Sequence, residues 1–282
     1  MMMAGTLYIC STPIGNLEDI TLRALRVLRE VDLIVGEDSR HTRKLLSHYG
    51  IHTPFAPSLF QGVEERRVEG VLQALREGKD VALVCDAGTP LISDPGYPLV
   101  RACLAEGIKV VPVPGASAFL SALVASGLPP DRFLFLGYLP RKSGPRKKVL
   151  ERLSELPYTA ILYESPHRVL STLEELARLF PRRPLVLARE LTKVYEEFIH
   201  GTTEEVFAEV KRRGGVKGEL VLLIAPADLK EEEEPEPEPM RKRFRELLDC
   251  GFSPGEAVKK VAGEFGIPRR EAYRIVHGLA EN

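Results

Sequence analysis

Across residues 1–226, short aliphatic and β-branched runs alternate with stretches in which apolar residues recur at helical spacing. This rhythm restricts the fold more than any other feature. The runs are Leu7–Cys10, Leu33–Val35, Val81–Cys85, Val110–Val113, Phe133–Leu136, Ala160–Tyr163, Leu185–Ala188 and Leu220–Ile224. Between them lie amphipathic stretches such as Leu22–Val31, Val63–Arg76, Pro98–Ala105, Ala116–Ser126, Val149–Leu156 and Val169–Phe180. Regular alternation of this kind puts helices on the faces of a sheet, which predicts an α/β protein with mainly parallel strands. Thr192–Gly201 breaks the rhythm and is a candidate for an added antiparallel strand. Pro112, Pro114, Pro129 and Pro130 cluster where the alternation pauses, so two α/β lobes are expected, residues 1–114 and 115–226.

The remaining chain has a different composition. The formal net charge of −1 conceals three unlike segments: about +2 over residues 1–226, −6 over 227–239 and +3 over 240–282. Glu231–Pro239 alternates Glu with Pro, and like-charge repulsion with fixed proline angles predicts an extended linker. Beyond it, Ser253-Pro254-Gly255-Glu256 reads as an N-cap, a first-turn proline and a capping-box glutamate. A helix over Glu256–Phe265, a turn at Gly266 and a second helix over Pro268–Leu279 make a small helix-turn-helix-like module. Arg269, Arg270 and Arg274 mark its outward face, which suits either nucleic acid or water.

At 44% hydrophobic and 28% charged, the chain is that of a soluble globular protein. No apolar run approaches membrane-spanning length and the N-terminus lacks a signal-peptide pattern, so a cytoplasmic protein is expected. Cys10, Cys85, Cys103 and Cys250 are far apart, and His48 and His52 are separated by a helix-breaking Gly50; no metal site is expected. Cys10 and Cys85 read as small buried thiols. Asn16 and Asn282 are the only asparagines, and Gln61 and Gln73 the only glutamines. That depletion fits a thermophile, and a GC-rich genome would produce much of the same bias.

Ligands of α/β folds collect outside the carboxyl ends of strands. Neither GxGxxG nor GxxxxGK[ST] occurs, which removes the Rossmann dinucleotide and P-loop readings. Three other small-residue loops follow strands directly: Ser11–Asn16 after the first, Asp86–Gly96 after the third and Pro114–Ser117 after the fourth. Small residues let backbone groups approach a ligand closely, and proline holds a loop without donating. Each alone suits an ordinary turn; three at equivalent strand ends point to a shared crevice.

At these loops the chain resembles a known family. Leu7–Thr21 is similar to the opening of the tetrapyrrole-methylase-like class of S-adenosylmethionine methyltransferases. Asp86–Gly96, Pro114–Ala118 and Tyr163-Glu164-Ser165-Pro166-His167-Arg168 resemble its ribosomal branch, the ribosomal RNA small subunit methyltransferase I group. Ser39 stands where that group usually has Thr. The resemblance covers the whole body, and the tail is similar to the helix-turn-helix module that members carry. It implies two lobes with S-adenosylmethionine folded into the cleft between them, generally in a homodimer. It also implies methyl transfer to the ribose 2′-oxygen of one cytidine in the decoding region of 16S rRNA, on naked RNA or on the small ribosomal subunit.

On that expectation, Pro13, Ile14, Gly15 and Asn16 close the crevice floor. Asp86, Ala87, Gly88, Thr89 and Pro90, with Pro114, Gly115, Ala116 and Ser117, hold the cofactor. A ribose hydroxyl is a weak nucleophile at neutral pH, so a base or a stabilising charge should assist. Asp38, Asp86, Glu164 and Glu190 are candidates, with Arg40, Arg168, Arg189 and Lys193 as partners. Asp38 and Glu164 are favoured as catalytic, although for any one carboxylate a helix cap or an ion pair is the commoner role. Arg141, Lys142, Arg146, Lys147 and Lys148 form the sharpest basic cluster, in a Gly/Pro context suited to RNA phosphates. Arg40, Arg168 and Lys193 are assigned to substrate as well. Two alternatives stand beside this: methylation of a tetrapyrrole precursor on the same fold, and a non-catalytic RNA-binding assembly factor.

Overall fold

The computed structural model describes residues 4–56, 64–227, 237–265 and 269–277. The chain divides into two compact units, Met1–Ala227 and Asp228–Asn282. In the first unit the order is β1 (Thr6–Cys10), α1 (Leu22–Glu30), β2 (Leu33–Val35), α2 (Ser39–His48), α3 (Glu64–Arg76), β3 (Val81–Leu83), α4 (Tyr97–Ala105) and β4 (Lys109–Val113). There follow α5 (Ala118–Ala125), β5 (Phe133–Tyr138), α6 (Ser143–Leu153), β6 (Thr159–Glu164), α7 (Val169–Leu179), β7 (Pro184–Arg189), β8 (Glu197–Thr202), α8 (Thr203–Arg212) and β9 (Leu220–Ile224).

The first sheet is all parallel, in the order β2-β3-β1-β4. Both faces are covered, which is why its strands read as continuous apolar runs. Leu7, Val35, Val81 and Leu83 pack toward Leu72, Leu75, Leu99 and Cys103 of α3 and α4. Cys10, Ile34, Ala82 and Val84 pack toward Ala24, Val27 and Leu28 of α1. Thr21 caps α1 by accepting the Ala24 N–H at 3.1 Å. Cys10 and Cys85 are buried thiols.

The second sheet, ordered β5-β6-β9-β7-β8, departs from the expected parallel arrangement. β5 and β6 are parallel, whereas β9 runs antiparallel to both neighbours and β8 antiparallel to β7. One event causes this. The short segment 190–196 between β7 and β8 cannot make a parallel crossover, which needs a dozen or more residues. The chain therefore reverses in a hairpin, and the candidate antiparallel strand in Thr192–Gly201 forms as β8. The β8–α8–β9 unit is then an ordinary parallel crossover that straddles β7. Thr202 and Glu205 close a reciprocal capping box at the start of α8.

Leu162, Leu185, Leu187, Leu222 and Ile224 face α6, α7 and α8. On the opposite face Ile161, Val186, Ala188, Val221 and Leu223 pack against Ala122 and Leu123 of α5 and against Ile14 of the first lobe. One apolar cluster thus spans both lobes at the foot of the ligand loops.

Helices α2 and α8 lie where the sequence rhythm was not read, and α6 starts earlier than expected. Residues Ser39–His48 form α2, and α6 begins six residues before Val149, at Ser143. In the second unit a helix over Pro237–Asp249, α9, precedes α10 (Pro254–Phe265) and α11 (Arg269–His277). Among the described residues the module therefore has three helices, and residues 237–239 of the expected linker open the first. The rest of that linker (228–236) and the Gly266 turn lie outside the described residues. Met240, Phe244 and Leu247 of α9 meet Ala257, Val258, Val261 and Ala272 in a small core. Glu256 accepts from the Ser253 N–H at 3.1 Å. Arg269 is exposed and donates to the Gly255 carbonyl at 3.3 Å. No helix among the described residues is long and apolar enough to cross a membrane.

Candidate active site

The three small-residue loops converge. Thr12 N–H donates to the Gly88 carbonyl at 2.8 Å, and Gly88 N–H returns a bond to the Thr12 carbonyl at 3.1 Å. Thr89 Oγ1 donates to the Ala116 carbonyl at 3.2 Å and lies 2.9 Å from Ser11 Oγ. A hydroxyl has one proton, so Ser11 is the donor to Thr89. A Cβ on Gly115 would come within 2.8 Å of Ser11 Cβ, so only glycine permits this approach.

Above this floor lies a cavity of about 260 Å³. Ile14, Asp86–Thr89 and Ile92–Asp94 line it from the first lobe, and Ser117, Ala118, Tyr138, Tyr163, Leu191 and Glu219–Val221 from the second. The lobes also touch beside it. Asn16 N–H donates to Thr192 Oγ1 at 3.0 Å, with Gly15 flat against Leu191–Lys193. Gly137, at a bulge in β5, meets Ser93. Among the described residues, the non-glycines with left-handed backbone are Leu91, Ser93, Glu190 and Thr192. All four fall in the two segments that frame the cavity, where strain is held by surrounding contacts.

The lining is acidic. Asp86, Asp94 and Glu219 reach the cavity surface. Burial, and then the charge of Asp86, pushes the Asp94 carboxyl above the usual carboxylate range. Glu37 is raised too, by burial first and then by Asp94, Asp86 and Asp38. Burial lifts the Tyr163 phenol to about 12. A pocket that concentrates negative charge in this way suits a cationic ligand. The donor implied by the resemblance carries a sulfonium and an ammonium, so this lining fits it. The Asp86, Asp94 and Glu219 carboxylates and the loop backbone at Ala87 and Ser117 line the cavity and could hold it, whereas the Gly88 N–H and carbonyl are taken up by Thr12.

The sequence-predicted residues separate into several places. Ile14, Asp86, Ala87, Gly88, Thr89 and Ser117 line the cavity. Pro13 and Pro90 are buried behind the wall, Ala116 and Gly115 supply the floor contacts, and Pro114 accepts weakly from Thr21 Oγ1 at 3.5 Å. Asn16 caps the short turn Leu17–Asp19 through its side chain and latches the lobes through its backbone.

Asp38 and Glu164, the carboxylates favoured as catalytic, are both absent from the cavity wall and engaged in local bonds. Asp38 caps α2 by accepting the Arg40 N–H at 2.8 Å and is gripped by the Arg40 guanidinium at 2.6 Å. These bonds hold its carboxyl at about 2, which makes it a weak proton acceptor. Glu164, only 2% exposed, accepts from Ser165 N–H at 2.8 Å and Thr172 Oγ1 at 2.5 Å, with Arg168 Nε 3.5 Å away. Its side chain faces α7, because successive residues of a strand alternate faces and Tyr163 takes the cavity side. Arg168 donates to the Leu139 carbonyl at 2.8 Å and fixes the β5–α6 turn.

Lys193 bridges Glu190 at 2.9 Å and Glu219 at 3.2 Å at the cavity rim. Arg40 is exposed beyond its pairing with Asp38. The basic cluster divides: Arg141, Lys142, Lys147 and Lys148 are exposed, whereas Arg146 is buried, bonded to Glu175 at 3.1 Å and Thr172 Oγ1 at 2.9 Å. α6 has already begun there, so this position turns inward, which removes Arg146 from the phosphate-facing set. Lys147 pairs loosely with Glu151 at 3.6 Å.

Asp94, Tyr138, Leu191 and Glu219 line the cavity without having been singled out. Asp94 sat inside the quoted loop motif; the others arrive from the second lobe with no local signature. His41, also unremarked, has Nδ1 3.5 Å from Asp86 Oδ2.

The family Tetrapyrrole (Corrin/Porphyrin) Methylases matches residues 6–206. The Ribosomal RNA small subunit methyltransferase I of Halalkalibacterium halodurans is 44% identical over 276 residues, covering 97% of this chain and 95% of its own. That of Escherichia coli O157:H7 is 51% identical over 231 residues, covering 81% and 80%. Among solved structures, a uroporphyrin-III C-methyltransferase from Thermus thermophilus in complex with S-adenosyl homocysteine aligns with TM-score 0.54 and 24% identity. It covers 78% of this chain and 97% of that one. A diphthine synthase aligns with TM-score 0.62 and 16% identity, covering 78% and 90%. These structures share the fold, and sequence identity over nearly the full length narrows the group. The chain belongs to the tetrapyrrole methylase family and, within it, to the ribosomal RNA small subunit methyltransferase I group.

Proposed function

We propose that this chain is an S-adenosylmethionine-dependent rRNA methyltransferase that methylates the ribose 2′-oxygen of a cytidine in the decoding region of 16S rRNA. The observation that carries the reading is the acidic cavity on the Ser11–Thr12, Gly88–Thr89 and Ala116–Ser117 floor, together with the group to which the chain belongs. S-adenosylmethionine, when bound, supplies an activated methyl group on a positively charged sulfur. The protein's work is then alignment of the acceptor with that group, which by itself contributes several kcal/mol. Thr89, held by Ser11 and Ala116, keeps the floor rigid, and Asp86, Asp94 and Glu219 offset the donor's positive charge.

Arg40, Arg141, Lys142, Lys147 and Lys148 are exposed cations suited to phosphate. The substrate is rRNA or the small ribosomal subunit, met in the cytoplasm by a homodimer. The test is to incubate the protein and labelled donor with small subunits lacking the modification, and in parallel with a porphyrin precursor, then to map the product by mass. Ribose-methylated cytidine in the decoding region supports the reading. Methylation of the macrocycle alone, or no donor binding by calorimetry, ends it.

A further inference from the structure

The two carboxylates favoured as catalytic are engaged elsewhere, Asp38 by Arg40 and Glu164 inside the second lobe. What stands at the carboxyl ends of β2 and β3, outside the cavity lining but beside Asp86 of that lining, is an imidazole. His41 lies in the first turn of α2 with its side chain 61% exposed. Its Nδ1 is 3.5 Å from Asp86 Oδ2 and 3.8 Å from Asp38 Oδ2. Asp86 lines the cavity and is itself held, since its Oδ1 accepts the Asp38 N–H at 3.2 Å. No partner for His41 Nε2 occurs among the described residues. The charged groups facing the ring are Asp86, Asp38 and, through Asp38, Arg40.

We propose that His41 is the general base of the methyl transfer and that Asp86 positions its ring. The inference rests on the reading of a ribose hydroxyl as acceptor. At 3.5 Å Asp86 does not hydrogen-bond Nδ1, but its negative charge favours the tautomer with the proton there, leaving the Nε2 lone pair to take the hydroxyl proton. As the acceptor oxygen bonds to the methyl carbon, its O–H electron pair stays on oxygen and the proton moves to Nε2. The carbon–sulfur bond breaks with both electrons remaining on sulfur, which becomes a neutral thioether. One cation is consumed as another forms, so the same carboxylates stabilise the site before and after transfer. Water then removes the proton from the imidazolium.

The test uses the full-length protein, small subunits lacking the modification, and single-turnover rates from pH 5 to 9. The wild-type rate should rise with unit slope from acid pH to a plateau. His41→Ala should be slower by about 100-fold or more and should lack the acid limb. Calorimetric affinities of that variant for donor and rRNA should stay within about threefold of wild type, because an exposed ring that moves a proton contributes little ground-state binding. Asp86→Asn should lower the plateau rate, with Asp86→Glu recovering part of it. A His41→Ala rate within about threefold of wild type, a loss confined to KM, or a retained acid limb would overturn the assignment. Mapping the wild-type product separates the two claims. A methyl group on a base atom ends the ribose reading, whereas a ribose methyl with an unimpaired His41→Ala ends only the assignment of the base.

Discussion

Gly15 and Lys193 meet face to face where the two lobes close: a Cβ on Gly15 would lie 2.5 Å from Lys193 Cγ, 2.8 Å from Thr192 Oγ1 and 3.0 Å from the Leu191 carbonyl. The contact seals the edge of the cavity beside Ile14 and Leu191, so its geometry sets how nearly the walls approach a bound donor.

Gly15→Ala is therefore expected to wedge the lobes apart. Overpacking of this kind costs about 1–3 kcal/mol, and the neighbours include backbone that cannot swing aside. Urea denaturation should show that loss, and calorimetry should show donor affinity reduced by at least the same factor. Gly144→Ala is the control, since nothing lies within 4 Å of a Cβ there. It should be neutral or stabilising by up to about 1 kcal/mol.

The division of the basic cluster makes a second expectation. Arg146→Ala strips a buried partner from Glu175 and Thr172, and a loss of about 2 kcal/mol is expected, with little change in the salt dependence of rRNA binding. Lys147→Ala with Lys148→Ala should behave in the opposite way. Stability should change by less than about 0.5 kcal/mol, while the slope of log affinity against log salt should flatten by about 2. Thermal melts and binding titrations between low and moderate salt would distinguish the two outcomes; the converse pattern would return Arg146 to the RNA surface.

Asp94 gives a pH test. Its carboxyl is raised by burial and by Asp86, so the ionised form opposes folding. A raised carboxylate loses stability as pH climbs through its folded value, and the penalty vanishes below the ordinary value of 3.8, where folded and unfolded chains are both protonated. Asp94→Asn should accordingly be more stable than wild type at pH 7, with the advantage shrinking as pH falls toward 4. The same variant should bind the donor more weakly, because one of the charges facing it is gone. Chemical denaturation at several pH values and calorimetry at pH 7 check both halves. Equal stability across that range would count against Asp94 as a half-buried charge.

Local chemistry made much of this molecule legible in advance. The strands lie where the aliphatic runs lie, because burial on both faces leaves no polar alternation. The turn residues after β1, β3 and β4 mark the ligand loops, because close backbone approach demands Gly115 and left-handed geometry favours Gly88. Ser253 and Glu256 foretell the start of α10 by their hydrogen bonds alone. The second sheet's mixed order was less accessible, since it turns on one short reversal before β8 whose effect appears only when β9 returns beside β6.

Partnership is what sequence did not carry. Asp38, Asp86, Asp94, Glu164 and Glu219 are all carboxylates near strand ends, and nothing in their immediate neighbours distinguishes them. The tertiary fold sends Asp38 to Arg40 and Glu164 to the α7 face. It brings Asp86, Asp94 and Glu219 around one cavity, with His41 against its edge. The rule behind this is simple: the backbone's preferences act over a few residues, whereas a side chain's charge state and task depend on groups that are distant along the chain and adjacent only in space.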